Sequence, residues 1–365
     1  MTEKDKLQDE AFRLAEKANF NGIILLPTGA GKGKIMIEIV KHLNPKSILY
    51  LCDSTDLRDN MIIDEFRKWN AEQYLDVMER VCYQTAYKWR NKHYDLILAD
   101  EFDASLTPTR TQIYSNITSN YRILVSATLD KEKRAKAQKI APIIYELKPK
   151  ELIENGVLNK VQYWYVNYDL TTTENIRYLG YNKEFRVLLN QVQSPQVKEK
   201  LQYLQIQRKQ FMNGLGSSVK VVRWMLKNLE PRKQKILIFC GLSEQANRIC
   251  KHTYHSNNDD QGMLNEFDLG HIKTLAVVNK VDRGVNIEGV KNIIHESVGR
   301  SKTRLTQRTG RGMRLDVNDT LNVFFLLPHF QHPWHGRRAT CVQQWIEDST
   351  EDMDLSNVKT MNYSQ

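Results

Sequence analysis

The chain has 365 residues, with 53 Lys and Arg against 43 Asp and Glu, a formal net charge of +10, and 26% charged and 41% hydrophobic residues. That balance excludes wholesale disorder and collagen-like repeats, and at roughly 150 residues per domain the length predicts two domains, each able to bury a core. No apolar run reaches the ~18 residues of a membrane span and the opening MTEKDKLQDEAF has no signal-peptide core, so a cytoplasmic chain without membrane contact is expected, and its positive charge favours a polyanionic partner.

In chain order, short apolar runs at 23–26, 48–51, 96–99 and 123–125 suit strands buried on both faces of a parallel sheet. Helical spacing lies between them, with Ile35, Ile39, Val40 and Leu43 in one stretch and Leu57, Ile62, Phe66 and Trp69 in the next. Strand–helix alternation of this kind predicts an open α/β sheet. Residues 147–232 are Gln- and Lys-rich and helical in pattern after an aromatic, strand-like piece at 161–166. They are read as a connector plus the helical start of a second lobe. The aromatics suit core or edge packing better than base stacking. Apolar runs return at 236–239, 275–278, 292–294 and 323–327, which predicts a second α/β lobe. The predicted domains are therefore 1–146, a connector with the helical start of the second lobe at 147–232, 233–345, and an acidic, solvated tail at 346–365. Cys52, Cys82, Cys240, Cys250 and Cys341 form no CxxC pair and are read as free thiols of a reducing compartment.

Three motifs carry chemistry. The first is LPTGAGKG, residues 26–33, between a buried strand and a helix. Its glycines let backbone N–H groups turn toward phosphate oxygens, the helix N-terminus adds partial positive charge, and Lys32 supplies a point charge at the β- and γ-phosphates. Thr28, Gly29, Ala30, Gly31, Lys32 and Gly33 are the predicted phosphate-binding residues. Gly33 stands where Ser or Thr usually gives a hydroxyl to Mg²⁺. A water can fill that position, with the ion held less tightly.

The second motif is LILADEFD, residues 96–103, an apolar strand that ends in carboxylates at the sheet edge where α/β proteins bind ligands. Asp100 is predicted to hold Mg²⁺, and Glu101 to orient and deprotonate the attacking water. The third is QRTGRGMR, residues 307–314, whose arginines at i, i+3 and i+6 share a helical face and suit a γ-phosphate in the transition state. Standing alone, that segment would equally fit a solvated basic face.

In this order the motifs resemble those of superfamily 2 nucleic-acid helicases and translocases, which implies two tandem RecA-like P-loop domains with parallel sheets flanked by helices. The resemblance extends over most of residues 8–314. Leu7-Gln8-Asp9-Glu10-Ala11 is similar to the glutamine element upstream of motif I, residues 50–57 to motif Ia, and 83–87 to Ib. DEFD stands for motif II, Ser126-Ala127-Thr128 for III, 238–241 for IV, 282–286 for V, and QRTGRGMR for the QRxGRxxR form of VI. Within the superfamily, 153–158 and 284–287 look most like compact bacteriophage helicases of branch-migration or excision-repair type. The DEFD box and the QR form of motif VI depart from the DEAD-box RNA group.

The resemblance implies roles. Gln8 would read adenine, although it lies too near the start of the sequence for an upstream stacking aromatic to be assigned. Gly284 and Asn286 would meet the ribose side and nucleic acid, with Asn286 standing where the family often has Asp. Ser126, Thr128 and Asp103 would couple the nucleotide to lobe movement. Arg311 and Arg314 would be arginine fingers, with Gln307 near the γ-phosphate and water. Arg58, Thr85, Lys88 and Arg283 would lie on the nucleic-acid path. ATP and Mg²⁺ are the implied cofactors, and the implied partner is nucleic acid, DNA before RNA. A monomer is expected, in a host cytoplasm if the gene is a phage's, with phage or host replication and repair proteins as further partners. Two alternatives stay open: the same engine on RNA, and a nucleic-acid-binding protein with impaired hydrolysis, suggested by Gly33. The cluster His329, His332, His335 and Cys341 has zinc-type residues, but Pro333 interrupts it and no CxxC accompanies it. It is read as an ordinary packing segment.

Overall fold

A computed structural model describes residues 2–127, 129–191, 194–258, 260–278, 287–298, 308–310, 315–316, 318–331, 338–340, 342–349 and 355–363. The chain divides into two compact units, Met1–Asn159 and a second that begins at Lys160.

The first unit contains strands β1 (Asn21–Leu25), β2 (Ile48–Cys52), β3 (Met78–Cys82), β4 (Lys92–Ala99), β5 (Ile117–Ser126) and β6 (Ile143–Glu146). They form one sheet in the order β3-β2-β4-β5-β1-β6, and every pairing is parallel. All five residues of β2 are buried, as a strand covered on both faces requires. Helices α1 (Glu3–Lys17), α2 (Lys32–Leu43), α3 (Ile62–Lys68), α4 (Tyr83–Ala86), α5 (Ile113–Asn116), α6 (Lys131–Ala137) and α7 (Pro149–Glu154) connect and cover the strands. A capping box starts α1: Asp5 N–H donates to Thr2 Oγ1 at 3.1 Å, and Thr2 N–H donates to the Asp5 carboxylate at 3.0 Å. Because all strands run one way, the C-terminal ends of β1, β2, β4 and β5 share one sheet edge. The phosphate loop, the 50–57 segment, DEFD and Ser126 therefore meet there.

The second unit contains β7 (Lys160–Asp169), β8 (Lys235–Phe239), β9 (Thr253–Tyr254), β10 (Thr274–Val277), β11 (Val290–His295), β12 (Thr320–Gln331), β13 (Arg338–Ala339) and β14 (Lys359–Asn362). The main sheet runs β14-β7-β12-β11-β8-β10-β9 in parallel, and β13 joins β12 antiparallel. Helices α8 (Thr172–Leu189) and α9 (Pro195–Asn213) form a hairpin. They are followed by α10 (Gly216–Leu229), α11 (Ser243–Ile249), α12 (Gln261–Leu269) and a last helix at Val342–Ser349. The two parallel sheets flanked by helices are the RecA-like lobes expected from the sequence.

Two expectations change. Residues 147–232 divide at Asn159: residues up to there group with the first unit, and β7 with the helices that follow it groups with the second, β7 in register with β12 from Lys160–Thr320 to Asp169–His329. The aromatic run is core because Tyr163 and Tyr165 are buried, Tyr163 beside Phe325, while Trp164 stacks on Phe324. The segment 346–365 is not simply a solvated tail, since β14 adds a parallel strand to β7. Backbone pairing prevails there, helped by Asn167 Nδ2–H donating to Asn362 Oδ1 at 3.1 Å and by Met361 and Tyr363 packing on the core. Cys52, Cys82, Cys240 and Cys250 are free thiols, and Cys341, His332 and His335 lie outside the described residues. Among the described residues no helix is long and apolar enough to cross a membrane.

Candidate functional site

The phosphate loop leaves β1 at the sheet edge and turns into α2. Gly29 and Gly31 have φ of +91° and +94°, values that a side chain disfavours. Gly31 is also sterically fixed, because a Cβ there would lie 2.0 Å from Gln8 Nε2. That amide donates to the Ala30 carbonyl at 3.0 Å, and Gln8 is buried. Gln8 of α1 thus braces the loop from behind. No side chain caps α2, which leaves its positive end to an anion. The Lys32 ammonium is buried without a hydrogen-bond partner among the described residues, 3.9 Å from Glu101 Oε1.

Asp100 follows β4 directly. Its carboxylate accepts the Tyr50 O–H at 3.2 Å and the Glu101 N–H at 2.9 Å. Burial and then the adjacent Glu101 push its pKa up to about 6, against the pull of Lys32. Glu101 is left-handed, with φ +49° and ψ +47°, an unfavourable conformation for a side-chain-bearing residue. Asp103 is buried. Ser126 O–H donates to its Oδ1 at 3.0 Å, and Lys133 pairs with its Oδ2 at 3.0 Å. Motif II is therefore tied to Ser126, while Thr128 lies outside the described residues.

Gly33 lies in the first turn of α2, where it faces Glu65 of α3. A Cβ there would stand 3.0 Å from Glu65 Oε2 and 3.2 Å from Glu65 Cδ. The missing hydroxyl side chain is thus matched by a carboxylate already at that spot. Beside Gln8, a cleft of about 270 Å³ is lined by Gln8, Asp9, Phe12, Lys34, Ile35 and Glu38.

Of the residues predicted on the nucleic-acid path, Arg58 forms a two-pronged pair with Asp59 at 2.7 and 2.6 Å. Thr85 and Lys88 are exposed near α4. Sequence reasoning missed four residues here. Arg110 binds Asp53 Oδ1 at 3.2 Å and the Ala104 carbonyl at 2.9 Å. Lys133, Glu65 and Phe12 are the others, and no motif marks any of them.

Gly284, Asn286, Arg283, Gln307, Arg311 and Arg314 lie outside the described residues. Arg308 of the same motif is described and buried, with its guanidinium 4.7 Å from the Phe239 ring centroid.

A glycine loop at a parallel-sheet edge, a buried ammonium with no hydrogen bond among the described residues and two adjoining carboxylates are the arrangement that nucleotide hydrolysis on a P-loop calls for. Family comparison agrees. Residues 3–131 match the family described as "Type III restriction enzyme, res subunit", and residues 218–316 match "Helicase conserved C-terminal domain". The chain belongs to helicase superfamily 2. It is 24% identical to the DNA 3'-5' translocase XPB2 of Sulfurisphaera tokodaii, over 88% of this chain and 82% of that protein. A candidate helicase of Sulfolobus islandicus filamentous virus is 22% identical over 82% of this chain, which spans 58% of that relative's length. The fold also matches the Pyrococcus furiosus Hef helicase domain, with a TM-score of 0.52 at 14% identity, over 88% of this chain and 94% of that one.

Proposed function

We propose that this chain is an ATP-driven translocase or helicase that works on DNA. One observation carries the hydrolytic part: the Lys32 ammonium is buried with no hydrogen-bond partner among the described residues and stands beside the 100–101 carboxylates. A buried ammonium with no hydrogen bond, and a carboxylate only at 3.9 Å, is under-satisfied, and a triphosphate placed on the loop would supply the missing acceptors. The two carboxylates also fit a divalent cation, because burial and then the charge of Glu101 raise Asp100, and a cation placed there would relieve both. Asp100 would hold Mg²⁺ with few other protein ligands, as that ion prefers. Bound there, the ion would neutralise charge on the β- and γ-oxygens.

The chain's own residues then divide the work. Backbone N–H groups of residues 28–33 bind phosphate oxygens, and Lys32 pairs with them. Glu101 takes the proton from the attacking water. Gln8 and Phe12 suit the base, Phe12 offering the ring face that Gln8 lacks. Arg311, Arg314 and Gln307 are assigned to the γ-phosphate by their chemistry. Asp103 and Ser126 pass a change at the nucleotide to the end of β5. The DNA preference is supported by the likeness to a DNA translocase over most of both chains. The net charge of +10 suits any polynucleotide.

Hydrolysis measured with single-stranded, duplex and forked DNA and with single-stranded RNA tests the reading. DNA is expected to stimulate turnover, and Lys32→Ala to abolish turnover while sparing most of the DNA affinity. Undiminished hydrolysis by Lys32→Ala would overturn the site. Stimulation by RNA alone would overturn the choice of DNA, and DNA binding without turnover would make the chain a hydrolysis-impaired binding protein.

A further inference from the structure

Glu101, the residue assigned to the attacking water, sits in the left-handed region at φ +49° and ψ +47°. A side chain disfavours that region, so the backbone stays there only while the peptide planes on either side are held. The plane before Glu101 is held at both of its polar atoms. Glu101 N–H donates to Asp100 Oδ1 at 2.9 Å, and the Asp100 carbonyl accepts the Tyr83 O–H at 2.8 Å. The plane after it is held where the Glu101 carbonyl accepts the Ala104 N–H at 2.9 Å. The bonds from Glu101 N–H and Ala104 N–H lie within residues 100–104. The Tyr83 hydroxyl reaches the turn from another element.

Tyr83 directly follows β3 and is the first residue of α4. Its side chain is fully buried, while Gln84, Thr85 and Lys88 beyond it are exposed. Burial raises its pKa well above the usual tyrosine value, so the phenol stays a donor. A second tie runs alongside. Gln84 Nε2–H donates to the Asp53 carbonyl at 3.0 Å, and Arg110 bridges Asp53 Oδ1 and the Ala104 carbonyl at 3.2 and 2.9 Å. A displacement of residues 83–88 is therefore felt at both ends of the 100–104 turn.

We infer that the Tyr83 hydroxyl is the contact that sets the backbone of Glu101, and that a DNA strand on residues 83–88 acts on hydrolysis through this one bond. The left-handed residue supplies the two states that such an effect needs. Held from Tyr83, the 100–101 peptide plane keeps Glu101 in an unfavourable conformation; released, the plane turns and carries the Glu101 carboxylate with it. Because the held state is intrinsically disfavoured, a small movement of α4 is enough to shift the balance between them. Tyr83 is a positioning residue that acts through Glu101. The inference rests on the reading of the site as a DNA-stimulated ATPase.

The test is steady-state hydrolysis with and without DNA, kcat and KM separated, on Tyr83→Phe, which removes the hydroxyl and keeps the ring. The DNA-stimulated kcat is expected to fall about 10-fold, the size of effect one hydrogen bond carries, while the DNA-free kcat stays within about threefold. The KM for ATP and the Kd for DNA should each change less than about twofold, since neither ligand touches the hydroxyl. Ile117→Ala lies in the same hydrophobic core as Tyr83 but at the start of β5, away from the site. It controls for stability alone and should lower Tm with the ratio of stimulated to DNA-free turnover kept. Parental stimulation in Tyr83→Phe would overturn the inference. So would equal losses with and without DNA, which mark a structural role only, or a fall in the ratio in Ile117→Ala to match. The parent separates the two failures. If DNA does not stimulate it, the proposed function has failed and the inference with it. If DNA stimulates parent and Tyr83→Phe alike, only the inference has.

Discussion

Replacing Asp100 by asparagine should make the nucleotide-free protein more stable and inactive at once. The side chain titrates near 3.8 ordinarily and at about 6 here, a gap of about two units. At 1.36 kcal/mol per unit this is about 3 kcal/mol, an upper value because Lys32 and Glu101 respond to the same charge. The folded pKa lies above the unfolded one. The folded carboxyl therefore holds its proton more tightly, and stability falls as pH rises from about 4 through about 6. Above that the full penalty is present. Asparagine removes the charge and can keep both bonds, from the Glu101 N–H and with the Tyr50 hydroxyl. In urea unfolding without nucleotide, Asp100→Asn is expected to gain about 1–3 kcal/mol at pH 7.5, and the gain should vanish below about pH 4. Hydrolysis should fall by at least about 100-fold, with loss of the stabilisation that Mg²⁺ plus nucleotide gives the parent. A variant no more stable at pH 7.5, or one whose advantage persists unchanged at pH 3.5, would refute the assignment of the shift to the desolvation of a carboxylate with no bonded cation.

Two further outcomes are expected. Gly33→Thr alone should disturb the loop rather than improve it, because the new Cβ would meet Glu65 Oε2 at 3.0 Å; Gly33→Thr with Glu65→Ala should lower the Mg²⁺ concentration needed for half-maximal hydrolysis, and a single variant that already does so would contradict the steric account. Glu296, held by Ser218 O–H, Gly241 N–H and Gln245, is pushed up to about 7 by burial from an ordinary 4.5. Its ionisation therefore erodes stability as pH rises between those values, and Glu296→Gln should stabilise the protein by about 1–3 kcal/mol above pH 7 and by nothing below about pH 4.5, read from urea curves at both pH values.

How much was legible in the sequence follows from what each element depends on. β1, β2, β4 and β5 were readable because strands covered on both faces are apolar without interruption. β3 was not, since Glu79 and Arg80 break its apolar pattern at the sheet edge. β14 was not, because only one of its four residues is apolar and its place is set by pairing with a strand far back in the chain. The site divides the same way. Gly29, Gly31, Lys32, Asp100 and Glu101 carry their chemistry in local spacing. Lys133 reaches Asp103 across 30 residues and Arg110 reaches Asp53 across 57, so neither could be assigned before the sheet brought its ends together.

The two aspartates of DEFD show how tertiary partners assign roles that the motif leaves equal. Both are raised by burial and by Glu101 between them. Asp103 has its compensation inside the protein, from the Lys133 ammonium and the Ser126 hydroxyl. Asp100 has neutral donors in Tyr50 and a backbone amide, and its nearest opposing charge acts only at a distance through Lys32. A buried carboxylate with its cation already in place is a structural tie, and here it binds the end of β4 to the end of β5. One whose cation must come from outside is a ligand in waiting. If ion and triphosphate arrive together, Asp100 loses its penalty and Lys32 gains hydrogen-bond acceptors in one event. The free energy lost to these two groups in the nucleotide-free protein then becomes differential affinity for the loaded one, which is the condition for a nucleotide to drive a conformational change.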